Sequence, residues 1–202
     1  MNMEEYLKVR NLTYLEYCDY LQDKYGIGLA DYMTKSFNSN PKCKRTKDGL
    51  FAHHKMEDHA IMLSVKKYAL LHPFEWQSKE NIVYCDYLEH LLLHVLICKY
   101  PAPDKDPMSE VGLGGVINFI VPELNDLYSG WETSQEWRKN LHNRVINDKD
   151  VYLAILKQFI DEYARDYGMP KEKLHSSFNN SFGIWSIRNN QELFKEIDDL
   201  WR

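Results

Sequence analysis

The stretch Asn81-Ile82-Val83-Tyr84-Cys85-Asp86-Tyr87-Leu88-Glu89-His90-Leu91-Leu92-Leu93-His94 decides how this chain is read. Its apolar run and its stops predict a helix over residues 78–99. Ser78 is the expected N-cap, Glu80 and Glu89 favour the positive end or the solvent face, and Pro101 is the stop. On that helix His90 and His94, four residues apart, project from one face and can close on a single metal ion. Such a pair beside three leucines is more often simply packed or solvated, so its meaning depends on what surrounds it.

The surroundings are rich in histidine. Six of the eight histidines fall between His53 and His94, where even spreading would leave fewer than two. Residues 49–54 read as a short strand leaving a turn, and it ends in His53-His54. Successive strand residues point to opposite sides, so one ring can face a metal and the other a reacting water. A partner strand is weakly marked over residues 74–77. Asn81 is placed at the helix start, where its amide can bond backbone groups and pin the loop that carries a base. His59 and His72 lack a partner at a diagnostic spacing, and His142 and His175 read as surface residues. Glu57 and Asp58 read first as surface carboxylates and second as groups that orient a ligand histidine. Tyr14, Tyr17 and Tyr20 read as core and helix-packing residues.

Taken together, His53-His54, Asn81, His90 and His94 resemble the HNH nuclease family and its ββα-metal fold over residues 49–98, about a quarter of the chain. The resemblance implies His53, His90 and His94 as metal ligands, His54 as general base and Asn81 as the residue that orients the base loop. It implies a metal-dependent endonuclease that hydrolyses DNA, leaving 5′-phosphate and 3′-hydroxyl ends, with one divalent ion: Mg²⁺, Mn²⁺, Zn²⁺ or Ni²⁺. Three features depart from the pattern. The His54 to Asn81 separation of 27 is long, the second strand is poorly marked, and the cysteine pairs that brace many relatives are absent. Lys42, Lys44, Arg45 and Lys47 precede the histidine strand and are the expected phosphate contacts.

The chain has 202 residues, 44% hydrophobic and 13% aromatic, which is enough for a real core and excludes disordered and coiled-coil classes. No apolar run approaches the roughly 18 to 20 residues of a spanning helix, so no membrane is expected. The first residues lack a signal-peptide pattern, and a cytoplasmic address is the default expectation. Cys18, Cys43, Cys85 and Cys98 form no C-x-x-C pair and read as reduced structural thiols. The net charge of −5 is unevenly placed. Residues 1–100 carry 13 cations and 13 acids, residues 101–202 carry 12 and 17.

The expected fold is α+β and predominantly helical. Residues 1–100 hold N-terminal helices and the HNH-like core, and residues 101–202 form an acidic helical lobe packed on it. Further helices are expected over 3–25 with a stop at Gly26, over 29–37, over 58–71 up to His72-Pro73, and over 133–145, 150–167 and 189–201. Residues 101–107 read as a linker and residues 111–121 as a glycine-containing apolar segment. Two competing readings remain. One is a catalytically inactive metal-binding module that engages another protein through the acidic lobe. The other is a helical metallo-phosphohydrolase, against which the lack of a His-Asp dipeptide counts.

Overall fold

The computed structural model describes residues 1–107 and 109–202, and about 55% of the residues are helical. The expected first helix is two: α1 (Met3–Val9) and α2 (Tyr14–Tyr25). Thr13 separates them because its side chain accepts from the Glu16 backbone N–H while the Glu16 carboxylate accepts from the Thr13 backbone, a reciprocal cap that starts a new helix. Residues 29–37 form no helix. Thr34 and Asn38 bond each other's backbone across a turn, and Phe37 stands at φ +55° inside it, so local side-chain bonding wins over helix propagation. After β1 (Phe51–His54), only α3 (Lys66–Ala69) is helical within the stretch expected over 58–71, since Met62 at φ +62° breaks the run.

The largest difference lies in the deciding stretch itself. Residues 82–85 are strand β2 (Ile82–Cys85), and α4 (Tyr87–Lys99) begins only after Asp86. Asp86, not Ser78, is the N-cap: its carboxylate accepts from the Glu89 N–H, and Glu89 returns the bond to the Asp86 N–H. Glu89 is therefore fully buried rather than solvent-facing, with Lys24 Nζ 2.7 Å from its carboxylate. The partner strand is β2; residues 74–77 make a 3₁₀ turn instead. All four residues of β2 are buried, so the strand lacks the alternation that would mark it in sequence.

The strands pair antiparallel, with Phe51 opposite Cys85, Ala52 opposite Tyr84, His53 opposite Val83 and His54 opposite Ile82. Val83 and Cys85 join the main hydrophobic cluster under α2 and α4, while Ile82 and Tyr84 join a small one with Cys43 and Leu50 on the other face. His53 accordingly turns toward α4 and His54 away from it.

In the second half, α5 (Leu113–Gly115), a π-helical stretch (Val116–Ile120) and α6 (Val121–Tyr128) run on continuously. Three helices follow: α7 (Glu136–Asn143), α8 (Lys149–Phe159) continued by a π-helical stretch (Ile160–Ala164), and α9 (Gln191–Asp199). They fall where helices were expected, with ends within three residues of the expected ones once the π-helical stretch is counted with α8. The main cluster unites both halves: Tyr6, Leu21 and Leu92 share it with Leu124, Ile155 and Ile197. Among the described residues no helix is long and apolar enough to cross a membrane.

Candidate metal centre

Strand β1 and helix α4 bring three imidazoles together. His53, His90 and His94 each offer one ring nitrogen, and these atoms all lie within 4.8 Å of one another. The group could hold a metal ion, and the neighbouring hydrogen bonds prepare it for one. Tyr14 Oη lies 3.2 and 3.1 Å from the carbonyls of His54 and Lys55, which only accept, so the hydroxyl proton goes to a carbonyl. The Tyr14 oxygen then accepts from His53 Nε2–H at 2.9 Å, which leaves the lone pair on Nδ1. That Nδ1 is buried and has no hydrogen-bond partner. His94 is fixed in the other sense: Nδ1–H donates to the Gly112 carbonyl at 3.2 Å, leaving the Nε2 lone pair 3.2 Å from His90 Nε2. Anchoring the remote ring nitrogen in this way is how proteins orient metal-binding histidines.

Burial keeps all three rings neutral. Desolvation lowers His90 and His94 and brings His53 down to about 3, so at neutral pH each retains its lone pair. His90 Nε2, 3.2 Å from His94 Nε2, can donate to it in one tautomer; in the other, with the His90 proton on Nδ1, its lone pair joins those of His53 and His94 at one point.

Glu57 borders two of the three imidazoles. The sequence reading favoured a surface carboxylate, but its side chain is only 20% exposed, and Oε2 lies 3.6 Å from His53 Nδ1 and 3.5 Å from His94 Nε2. Three imidazoles form a donor set suited to zinc and other borderline ions, and the Glu57 carboxylate stands beside two of them. Asp58 is also buried rather than on the surface, paired at 2.7 Å with His59 Nδ1.

His54 occupies the opposite face of β1, its ring centroid 4.1 Å from that of Tyr32 with the planes tilted by 46°. Its Nε2 lies 3.1 Å from Gln77 Oε1, and the Gln77 amide nitrogen donates to the Leu63 carbonyl, so Gln77 can only accept from the ring. The His54 lone pair is therefore on Nδ1, 3.5 Å from Glu57 Oε1. Asn81 stands at the end of a 3₁₀ turn before β2 rather than on a helix. Its side-chain Nδ2 donates to the Glu75 carbonyl and not to the loop beside His54; the bond to Lys55 N–H, 2.8 Å, is made by the backbone carbonyl of residue 81, which a side chain of any type would leave in place.

Of the cations named from sequence, Lys42, Lys44 and Lys47 are exposed. Arg45 is engaged structurally: Nε donates to Asp48, Nη1 to the Tyr25 carbonyl, and the guanidinium lies over Tyr84. The second half, expected as an acidic helical lobe, contributes to the centre. Gly112 supplies the carbonyl for His94, and Gly115 passes so close that a Cβ there would lie 2.3 Å from the His94 ring. His142, read as a surface residue, is buried and donates to Glu123 at 2.8 Å. Tyr14 read only as a packing residue, and Gln77, Gly112 and Gly115 carried no functional expectation from the sequence. Two glycines three apart in an apolar segment are the one local signal of a close backbone approach among them.

No protein-family model matches the chain, and no curated protein or solved structure matches it.

Proposed function

We propose that the chain is a metal-dependent endonuclease of HNH type that hydrolyses phosphodiester bonds in DNA. The observation that carries the reading is the buried, unpartnered Nδ1 of His53 converging with His90 and His94, with His54 on the opposite face of the same strand. His53, His90, His94 and Glu57 would hold the ion. A divalent cation there supplies charge neutralisation at the phosphate and at the departing 3′ oxygen.

The protein's own groups do the rest. His54 takes a proton from water at Nδ1, and Gln77 keeps that nitrogen free by holding Nε2–H. Glu57 lies between the ligand group and the base, so one carboxylate keeps both in register. The backbone carbonyl of residue 81 restrains the turn after His54 through Lys55, while the Asn81 side chain braces the 3₁₀ turn that precedes β2. Lys42, Lys44 and Lys47 remain available for phosphate contact.

Plasmid nicking with Mg²⁺, Mn²⁺, Zn²⁺ or Ni²⁺ tests the reading. Cleavage is expected with at least one ion. His54→Ala should lose cleavage and keep metal, whereas His90→Ala should lose both. Metal binding with no nicking by any ion above the His54→Ala background would sink the enzyme and leave a structural metal module.

A further inference from the structure

Next to the histidine cluster lies a second cavity, of about 530 Å³, walled by Phe51, Phe119, Trp137, Phe178 and Phe182. It shares Phe51, His90, Phe119 and Ile120 with the cavity of about 630 Å³ into which His54, Glu57 and His94 open. The two are thus adjoining compartments with His90 in the dividing wall. Phe119 is 54% exposed, Trp137 47% and Phe182 65%, so three large rings at this mouth are not spent on packing the core.

The polar groups narrow the occupant. Arg138, held over Trp131 and Phe178 at 4.3 and 5.2 Å, gives its charge to Glu123, with Nε 2.6 Å from Oε1. Glu123 also accepts a hydrogen bond from His142 Nε2 at 2.8 Å. The cavity floor therefore attracts neither a free anion nor a cation. What remains are aromatic faces and two amides, exposed Gln135 and buried Asn179, whose Oδ1 has no hydrogen-bond partner. A flat, uncharged aromatic ligand with a polar edge meets those conditions.

We propose that this aromatic cavity is a nucleobase subsite, taking a base of an unpaired strand beside the diester that lies at the histidine cluster. The proposal rests on the phosphodiesterase reading for the identity of its neighbour. A base stacked on one of these rings adds binding that ignores sequence, because every base has a π face. In an intact duplex the same base is paired and stacked inward and has to be extruded first. The site therefore favours single-stranded or locally unpaired nucleic acid, and part of the recognition comes from the half of the chain that carries the net negative charge.

The test uses two diesters with the same leaving group, thymidine 5′-(p-nitrophenyl phosphate) and methyl p-nitrophenyl phosphate, with Mn²⁺. A second arm measures anisotropy of labelled oligothymidylate in EDTA. Wild type should prefer the thymidine diester. Trp137→Ala and Phe182→Ala should each cut that preference, and the oligothymidylate affinity, by about 10-fold, with metal affinity retained as a sign of an intact fold. Hydrolysis of both diesters at a ratio the two substitutions leave unchanged, with unchanged oligothymidylate affinity, overturns the subsite and leaves the phosphodiesterase standing. If neither diester is hydrolysed, the phosphodiesterase reading falls. The EDTA arm then decides the subsite alone: lost affinity in the variants supports it, and unchanged affinity overturns it.

Discussion

Gly115→Ala sets two physical effects against each other. Gly115 ends α5 with φ −62° and ψ −45°, ordinary helical values, so by propensity alanine there stabilises by about 1 kcal/mol. Position predicts the opposite. The new Cβ would meet His94 Cε1 and Nδ1 at 2.3 Å and Cγ at 2.8 Å, inside any tolerated contact. Overpacking of this kind costs about 1 to 3 kcal/mol. Moving the ring away also breaks its bond to the Gly112 carbonyl, leaving a buried donor unpaired for about 1 to 3 kcal/mol more. The net expectation is a loss of about 1 to 5 kcal/mol in urea denaturation of the metal-free protein. Because the anchored tautomer of His94 is disturbed as well, affinity for Mn²⁺ or Zn²⁺ by calorimetry should fall about 10- to 100-fold. Gly114→Ala is the control: its Cβ would meet only Asn118 Nδ2, at 3.8 Å, so it should be neutral or mildly stabilising and keep metal affinity. A Gly115→Ala protein as stable as Gly114→Ala, with unchanged metal affinity, would refute the placement of His94.

Three further outcomes follow from the same geometry. Tyr14→Phe removes the acceptor that holds Nε2–H of His53, and metal affinity should drop about 10-fold while the melting transition stays cooperative; unchanged affinity would mean the tautomer is not set there. Asp126 is buried and accepts from Asn179 N–H, Asn179 Nδ2 and Asn190 Nδ2, so Asp126→Ala should cost about 3 kcal/mol and loosen residues 179–190, measured by denaturation and amide exchange. Glu123 is buried; burial would raise its pKa, but His142 and Arg138 lower it below its ordinary value, so the stability it contributes is present above pH 4.5 and lost as pH falls through the folded value. Glu123→Gln should therefore be less stable than wild type by about 3 kcal/mol at pH 7 and converge with it in acid, and a gap independent of pH would contradict the ion pairing.

Particular residues show how far sequence reasoning reached. The alternation that sends His53 and His54 to opposite faces needs only the strand period, and the four-residue spacing of His90 and His94 needs only the helix period. Both are local rules, and the structure realises both. The boundary between them was misplaced because Ile82-Val83-Tyr84-Cys85 is buried on both faces and continues the apolar run of α4 without a break in pattern. Only the reciprocal cap of Asp86 and Glu89 marks the helix start, and it competes with an equally plausible Ser78. Glu57 lay within reach of recognition, three and four residues past the histidine pair, but a carboxylate in a turn has no local feature that separates solvent from a buried centre.

By itself, then, the sequence determined a mainly helical chain with a minor strand component, the pairing of His90 with His94 on one helix face, the opposed directions of His53 and His54, and the placement of the negative charge in residues 101–202. Tertiary structure alone decided that His53 meets the helix pair, that Tyr14, Gln77 and the Gly112 carbonyl choose which ring nitrogens carry lone pairs, and that Glu57 turns inward. It also decided that an aromatic cavity with its floor in α6 and α7 abuts the same histidines. The reason is physical: periodicity and capping act over a few residues and leave a signature in the local sequence. Which ring faces which carbonyl is set by the packing of α2, β1, α4 and α5 into one core, and the partners lie tens of residues apart.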